Sequence, residues 1–333
     1  MESQVLPIIS VVVPVYKAER YIERCLQSIG SQTLKGVEYI FVNDASPDGS
    51  VAAIENFFRA NPLEDSAFRI INNEVNSGVG FSRQSGLDHA RGKYVIHVDP
   101  DDWLEPDYLE KLYHAAESEN ADMTFCDIFI EYSDKTQQSK QCPKTDNGDG
   151  LITEICRGDI YASCWNKLVR HNTIEKSGAR FIDGVNVCED VLFFLQLSRN
   201  DIRIAKVHKP LYHYDRFTNA NSIQRHMLPD HLAQDNRLIG EVSRILADKK
   251  YEAARGYFIS SALFHIFEIS SYPGAEFRRR YSEYDKYVDA NDSFSYAKKK
   301  MLRYACHGGY RQSRFVYNTV SSLKNILRKL FKK

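Results

Sequence analysis

This sequence of 333 residues lacks the features by which several classes of protein are usually recognised. Its seven cysteines are an odd number and include no Cys-x-x-Cys pair, which argues against a disulfide framework or a zinc site and favours a reducing compartment. The N-terminus, Met1-Glu-Ser-Gln, has no basic region, so we expect no secretory signal. The longest nearly apolar run, residues 5–16, contains two prolines and is too short to span a bilayer. We therefore expect a cytoplasmic protein.

Two common phosphate-binding motifs are also missing. Gly78 and Gly80 stand where a dinucleotide-binding turn would begin, but the third glycine of that motif is replaced by Arg83. Gly92-Lys93 lacks the glycine spacing and the following serine or threonine of a P-loop. The sequence therefore gives little support for an enzyme that uses a nicotinamide cofactor or a P-loop.

Acidic residues are absent from the last 41 positions, residues 293–333, which carry eleven lysines and arginines. The formal net charge of the whole chain is zero, so residues 1–292 hold 33 basic and 44 acidic groups, a net charge of −11. A hydrophobic content of 43% and a charged content of 26% are typical of a soluble globular protein. The length of 333 residues suffices for one large domain or two ordinary ones. Nothing in this balance indicates a nucleic-acid partner.

The most informative stretch is Gly92 to Asp107, which reads GKYVIHVDPDDWLEPD. Residues 94–98 form a short β-branched run typical of a strand buried on both faces. It ends in three carboxylates, Asp99, Asp101 and Asp102, whose hard oxygens suit Mg²⁺ or Mn²⁺. The alternative is an acidic turn that caps the next helix, since Asp is a common turn residue.

Strand and helix patterns alternate through the first half of the chain, which predicts an α/β fold with a mostly parallel, Rossmann-like sheet flanked by helices. In such sheets ligands bind beyond the carboxyl ends of the strands, so we expect Pro14–Tyr16, Asp44 and the three aspartates to line one cleft. The predicted strands are residues 8–16, 37–42, 68–71, 94–98, 121–132, 202–207 and 211–214. We expect a polar loop over residues 133–150 and a helical region from about residue 226.

Each candidate residue also has an ordinary structural interpretation. Arg83 could clamp a pyrophosphate from a helix start or could be an exposed surface arginine. Asp44, beside a ring-stacking Tyr16, could accept the N3–H of uracil or could be a turn-forming residue. Glu189 and Asp190 could provide a general base or could simply favour the start of a helix.

Taken together, three segments resemble the inverting glycosyltransferases of family 2, which have the GT-A fold. These segments read VVVPVYKAERYIERCLQSIGSQT, VNDASPDGS and NSGVGFSRQSGLDHARGKYVIHVDPDDW. The resemblance is strong over residues 8–107 and extends more weakly to about residue 222. The chain departs from the usual family pattern at three positions, Asn43, Gln84 and Pro100.

The resemblance implies roles for individual residues. The nucleotide sugar would be bound by Pro14, Val15, Tyr16, Glu19, Asp44, Arg83, Asp99 and Asp101. The metal, Mn²⁺ or Mg²⁺, would be bound by Asp101 and Asp102. Asp190 would be the catalytic base, and contacts with the acceptor or the donor sugar would be made by Trp165, Lys167 and Glu189.

The predicted activity is that of an inverting hexosyltransferase that uses a UDP-sugar to extend a bacterial surface polysaccharide on a lipid-linked acceptor. One rival is a nucleotidyltransferase, which should carry a glycine-rich basic loop after the first strand, where this chain has Pro14-Val-Tyr-Lys-Ala-Glu. A rival of another class is a catalytically silent nucleotide-binding or scaffold protein.

We predict a catalytic domain over residues 1–222 and a helical region over residues 223–333. The latter ends in a basic amphipathic helix. Its apolar residues at helical spacing are Val316, Val320, Leu323, Leu327 and Leu330, and beside them are Phe315, Ile326 and Phe331. Such a helix suits an anionic membrane surface, which would place the protein at the inner face of the cell membrane. The alternative is that its apolar face packs on the domain.

Overall fold

A computed structural model describes residues 6–63, 67–218, 231–269 and 274–330. Within these residues, nine strands form one mixed sheet. The strands are β1 (Ile9–Val15), β2 (Val37–Asn43), β3 (Ala67–Asn72), β4 (Tyr94–His97), β5 (Trp103–Leu104), β6 (Met123–Glu131), β7 (Thr136–Ser139), β8 (Lys167–Arg170) and β9 (Ile204–Asp215). Their order across the sheet is β3-β2-β1-β4-β8-β6-β9-β5, and β7 pairs with β6.

The first four long strands are parallel. β1 lies between β2 and β4, and β3 pairs with the outer edge of β2. All residues of β1, β2 and β4 are buried, as expected of apolar strands covered on both faces. The carboxyl ends of β1, β2 and β4 therefore meet at one edge of the sheet.

The other half of the sheet is mixed. β8 runs antiparallel to both β4 and β6, whereas β9 runs parallel to β6. The predicted pair of strands over residues 202–214 is wrong in one respect, because β9 is continuous and contains a bulge near Pro210. The predicted loop over residues 133–150 is also wrong in part, because it contains β7 and the start of a helix. β7 is a polar edge strand, Thr136-Gln-Gln-Ser139, so it has no apolar signal.

Helices cover the sheet and make up most of the C-terminal part. Within the described residues they are α1 (Ile22–Gly30), α2 (Ser50–Ala60), α3 (Val79–His89), α4 (Tyr108–Ser118), α5 (Gly148–Arg157), α6 (His171–Ser177), α7 (Glu189–Ser198), α8 (His231–Ile245), α9 (Glu252–Ile269), α10 (Gly274–Tyr281), α11 (Tyr296–Tyr304) and α12 (Tyr310–Leu330). Short 3₁₀ and π segments lie between several of them.

The chain divides into two compact units, Met1–Pro229 and Asp230–Lys333. The first has a core built from the buried strands with α1 and α4. The second has its own core, which centres on Leu263, Phe267 and Phe277. The predicted domain boundary after residue 222 lies outside the described residues, as does the predicted helical start at residue 226.

No helix in the described residues is long and apolar enough to cross a membrane.

Candidate active site

Sharp turns follow the first two parallel strands. Lys17 and Ala45, each the second residue after the end of β1 or β2, have positive φ values of 51° and 52°. Non-glycine residues rarely adopt this conformation, and such strain concentrates at functional sites. The two turns are joined because the Lys17 N–H donates to Ser46 Oγ at 2.8 Å. The sheet edge that is predicted to bind the nucleotide therefore carries two turns that are held together by a hydrogen bond.

Asp44 lies at the end of β2 and is only 3% exposed. Its Oδ1 accepts hydrogen bonds from Asn73 Nδ2 and from the Ser77 N–H, each at 2.9 Å. Its Oδ2 accepts from the Gly78 N–H at 2.8 Å. The carboxylate therefore fixes the loop that leads into α3, and its predicted contact with a uracil ring stays a prediction.

The residues around β1 differ in exposure. Pro14 and Val15 lie inside β1 and are buried, whereas the Tyr16 ring is 41% exposed. Glu19 accepts a hydrogen bond from the Gly49 N–H at 3.0 Å. Tyr16 is therefore available for stacking against a planar ligand, while Glu19 holds the turn before α2.

The three predicted aspartates come together directly after β4. One carboxylate oxygen each of Asp99, Asp101 and Asp102 lies within 4.8 Å of the other two. Asp102 is 1% exposed, and burial together with the charges of Asp101 and Asp99 raises its pKa well above its usual value. A divalent cation would relieve this repulsion. The donor set consists of hard oxygens only, which fits Mg²⁺ or Mn²⁺.

Asp102 also anchors the loop of residues 99–102 to β9. Its Oδ2 accepts from the Tyr212 hydroxyl at 2.6 Å, and its Oδ1 accepts from the Asp215 N–H at 2.8 Å. The same Tyr212 oxygen accepts from the Asp99 N–H at 3.1 Å. Two residues of β9 thereby fix both ends of the loop of residues 99–102, which we call the acidic loop.

Arg24 on α1 holds the loop from the other side. It donates to the Asp101 carbonyl oxygen at 2.9 Å and forms an ion pair with Asp215. Its guanidinium lies 3.6 Å from the centre of the Trp103 ring, a cation–π contact. Sequence reasoning did not identify Arg24, Tyr212 or Asp215 as site residues. The weaker part of the family resemblance, which extends to about residue 222, includes Tyr212 and Asp215 and was the signal that could have found these two.

Arg83 projects from α3 into the same region and is 6% exposed. It donates to Asp99 Oδ1 at 2.8 Å and forms a second ion pair with Glu189. Burial opposes its charge, but Asp99 and Glu189 hold the pKa of Arg83 well above its usual value. Its Nε is among the buried polar atoms of the described residues without a hydrogen-bond partner. Arg83 thus joins the acidic loop to α7.

Glu189 and Asp190 form the first turn of α7. Glu189 is 6% exposed, and burial raises its pKa to about 7 although Arg83 acts in the opposite direction. Asp190 is only half-buried, and its Oδ1 accepts from the Val191 N–H at 2.7 Å. Of the two carboxylates, Asp190 is the more accessible to a substrate.

Trp165 and Lys167 lie beside this region, at the start of β8. Trp165 is stacked on Tyr212 with ring centres 4.6 Å apart. Lys167 is 1% exposed, and its ammonium donates to three oxygens, those of Tyr161, Ser163 and Asn166, at 2.6–2.9 Å. Burial lowers the pKa of Lys167 to about 8. Both side chains are therefore buried beside the site and help to hold its backbone in place. Their predicted contacts with a sugar stay predictions.

The described geometry joins five of the predicted residues into one connected group, and Asp190 follows the last of them in the chain. Asp99 is shared by the acidic cluster and Arg83, and Arg83 reaches Glu189 beside Asp190. The group combines a cluster of hard oxygen ligands, a buried arginine and an accessible carboxylate. This combination can bind a metal and a phosphate and can accept a proton from a substrate hydroxyl.

Comparisons with known proteins show which family and which structures the chain resembles. A family model described as "Glycosyl transferase family 2" matches residues 10–176, half of the chain. The sequence is 34% identical over 226 residues to "Putative glycosyltransferase EpsH" of Bacillus subtilis (strain 168), which covers 66% of this chain and 64% of that protein. The match therefore spans just under two thirds of the relative's length.

Two solved structures share the fold. The crystal structure of S. aureus TarS in complex with UDP-GlcNAc matches with a TM-score of 0.74 and 18% identity, over 93% of this chain and 91% of that chain. The mannosyltransferase PcManGT from Pyrobaculum calidifontis, in complex with GDP-Man and Mn²⁺, matches with a TM-score of 0.52 and 15% identity, over 92% and 88% of the two chains.

Proposed function

This chain belongs to glycosyl transferase family 2 and has the GT-A fold, and we propose that it is a metal-dependent, inverting enzyme that uses a UDP-sugar. The observation that carries the proposal is the connected group at the carboxyl ends of the strands. There the cluster of Asp99, Asp101 and Asp102 is joined through Arg83 to the first turn of α7. The sugar would pass to a hydroxyl of a saccharide acceptor.

The residues present fit a divalent cation. Asp101 is the principal ligand in this proposal, because Asp102 is buried and already accepts from Tyr212 and from the Asp215 N–H. When bound, Mn²⁺ or Mg²⁺ would neutralise charge on the leaving diphosphate. The PcManGT structure was solved with Mn²⁺ and GDP-Man, which supports a metal-assisted mechanism in a protein of this fold.

Arg83 would stabilise the same leaving group. Its guanidinium carries five N–H donors, and its two carboxylate partners, Asp99 and Glu189, hold it at the edge of the acidic cluster. A pyrophosphate that approaches the cluster would meet a positive charge already fixed in place. Such preorganised charge is effective because little reorganisation is needed as negative charge grows.

Asp190 would be the general base. It would take the proton from the acceptor hydroxyl while that oxygen attacks the anomeric carbon. The bond from that carbon to the phosphate oxygen breaks at the same time, and its electron pair leaves with UDP. One displacement without an enzyme nucleophile inverts the anomeric configuration. General base catalysis of this kind typically contributes about 10²–10⁴-fold in rate.

The acceptor in this proposal is lipid-linked and is met at the inner membrane surface during synthesis of a surface polysaccharide such as a capsule, an O-antigen or an exopolysaccharide. The support for membrane contact comes from α12, where Phe315, Val316 and Val320 are 73%, 54% and 45% exposed. Beyond Val320 the structure describes only the backbone of α12, and Phe331 lies outside the described residues. A basic helix with exposed apolar residues suits an anionic bilayer surface.

The direct test is release of nucleoside diphosphate from a panel of UDP-, GDP- and dTDP-sugars with soluble saccharide acceptors. We expect turnover with a UDP-sugar in Mn²⁺, loss of turnover after chelation, and a product of inverted configuration in the NMR spectrum. Equal turnover in the presence of a chelator would overturn the metal dependence. A product with retained configuration would overturn single displacement by Asp190.

A further inference from the structure

A second group of metal-ligating side chains lies outside the acidic cluster. It consists of Asp127 on β6, Cys142 after β7 and His208 on β9. One donor atom of each lies within 4.8 Å of the donor atoms of the other two. The three residues come from separate segments of the chain, which is why the spacing of the cysteines gave no indication of a zinc site.

An irregularity of the sheet produces this meeting. Along β6 and β9, Cys126 pairs with Val207 but Asp127 pairs with Pro210. His208 and Lys209 are therefore extra residues that bulge out of the ladder. β-Bulges redirect side chains and are frequent beside functional sites. Here the bulge brings His208, which is exposed, to the buried Asp127.

Asp127 is oriented by hydrogen bonds from the loop that carries the cysteine. Its Oδ1 accepts from the Gln141 N–H at 2.7 Å and from the Cys142 N–H at 3.0 Å. Both of these bonds go to the same carboxylate oxygen. Carboxylates at metal sites are commonly held in this way by outer hydrogen bonds.

The charge around the group also permits a cation. Lys206 is the nearby basic residue that interacts with the Cys142 sulfur, but its ammonium forms an ion pair with Asp146 and donates to the Lys144 carbonyl oxygen at 3.3 Å. Its positive charge is therefore largely compensated. The Cys142 sulfur itself lies 3.5 Å from the Val207 carbonyl oxygen, in surroundings that favour a proton or a cation beside it.

We propose that Asp127, Cys142 and His208 bind a zinc ion that is distinct from the catalytic metal. Sulfur, imidazole nitrogen and carboxylate oxygen together are a donor set typical of Zn²⁺ and unsuited to Mg²⁺. Ligand atoms at 2.0–2.3 Å from zinc lie about 3.5 Å from one another in a tetrahedron. Donor atoms within 4.8 Å need to move inward by only about 1 Å, and water would complete the coordination.

The consequence of this site would be structural. A zinc ion would tie the segment between β7 and α5 to β6 and β9. β9 continues from His208 to Tyr212 and Asp215, which fix the acidic loop. The site would therefore stabilise the strand on which the acidic loop depends, without contact with the substrate.

The test is the metal content of the full chain after chelation, incubation with Zn²⁺ and gel filtration. We expect about one zinc per wild-type chain, and loss of most of it in His208→Ala and in Cys142→Ser. His208 is exposed, so its variant should fold normally. His114→Ala, which changes another exposed histidine, is the matched control and should retain the zinc.

Asp101→Ala separates this site from the acidic cluster. That variant should keep its zinc whether or not the proposed transfer reaction is correct. Co²⁺ in place of zinc should give a thiolate-to-cobalt absorption band that is absent from Cys142→Ser. The proposal is overturned if wild type retains no zinc, if His208→Ala and Cys142→Ser retain as much as wild type, or if Asp101→Ala alone loses it.

Discussion

The two sides of the candidate active site are built in different ways. The donor side, which consists of the ends of β1, β2 and β4 with the start of α3, comes from consecutive strand–helix units. The base side consists of the short 3₁₀ turn Cys164–Asn166, the first turn of α7 and the end of β9. Here antiparallel pairs interrupt the parallel order, as when Phe125 pairs with Lys167 and Trp103 with His213. In our proposal the donor side binds the nucleotide and metal, and the base side activates the acceptor.

The largest expected effect is on the donor side. Asp101→Ala should lower the transfer rate by about 10³-fold or more, because the metal contributes several kcal/mol of transition-state stabilisation and 1.36 kcal/mol corresponds to tenfold. Asp107→Ala is the control. Asp107 follows in the same acidic stretch but pairs with Lys111 and Lys209, and its loss should leave the rate within about twofold. Equal rates in the two variants would remove Asp101 from the mechanism.

The next effect separates the base side from the donor side. Asp190→Asn keeps the size of the side chain and removes its basicity, so kcat should fall by about 10²-fold or more while donor affinity is retained. Asp183→Asn, an exposed position before α7, should behave as wild type. If Asp190→Asn instead weakens donor binding and turns over the bound donor normally, the base lies elsewhere.

A smaller effect is expected where the two sides meet. Tyr212→Phe removes the hydroxyl that joins Asp99 to Asp102, so the apparent dissociation constant for Mn²⁺ should rise by about tenfold. Tyr108→Phe is a closely matched control. Both tyrosines are fully buried, and their rings lie 6.0 Å apart, but the Tyr108 hydroxyl donates to the Trp165 carbonyl oxygen. We expect the two variants to lose similar amounts of stability, but only Tyr212→Phe to change the affinity for Mn²⁺. That result would support the role of the Tyr212 hydroxyl in holding the acidic loop.

If both variants have the same Mn²⁺ titration curve, the Tyr212 hydroxyl contributes to folding only.

The smallest effect on turnover is expected from the C-terminal helix. The Ser313 hydroxyl donates to the Met301 carbonyl oxygen at 3.0 Å, and Tyr317 packs against the C-terminal core. A deletion that begins at Ser313 would therefore damage the fold. Deletion of residues 321–333 removes five basic residues and should leave activity on soluble acceptors unchanged while it weakens binding to anionic vesicles. Binding that survives the deletion would place membrane contact elsewhere.

The sequence predicted the donor side well because its information is local. Each buried strand is mostly apolar and is followed closely by a polar turn, as β4 is by Asp99, so the strand pattern also placed the ligand edge. The predicted GT-A fold is confirmed.

The base side carries less local information. β5 has two residues, β7 is polar, and the bulge near Pro210 divides the pattern of β9 into two. The burial of Lys167 and the anchoring of Asp102 by Tyr212 depend on strands that meet only in the folded chain. No periodicity in the sequence indicates either contact.

The most direct test of this division between the two sides is a calorimetric titration of UDP into wild type, Asp101→Ala and Asp190→Asn, each with Mn²⁺ and with a chelator. We predict that chelation and Asp101→Ala each weaken UDP binding by at least about tenfold, and that Asp190→Asn with Mn²⁺ binds UDP as wild type does. Equal UDP affinity in all three proteins, independent of Mn²⁺, would contradict the account.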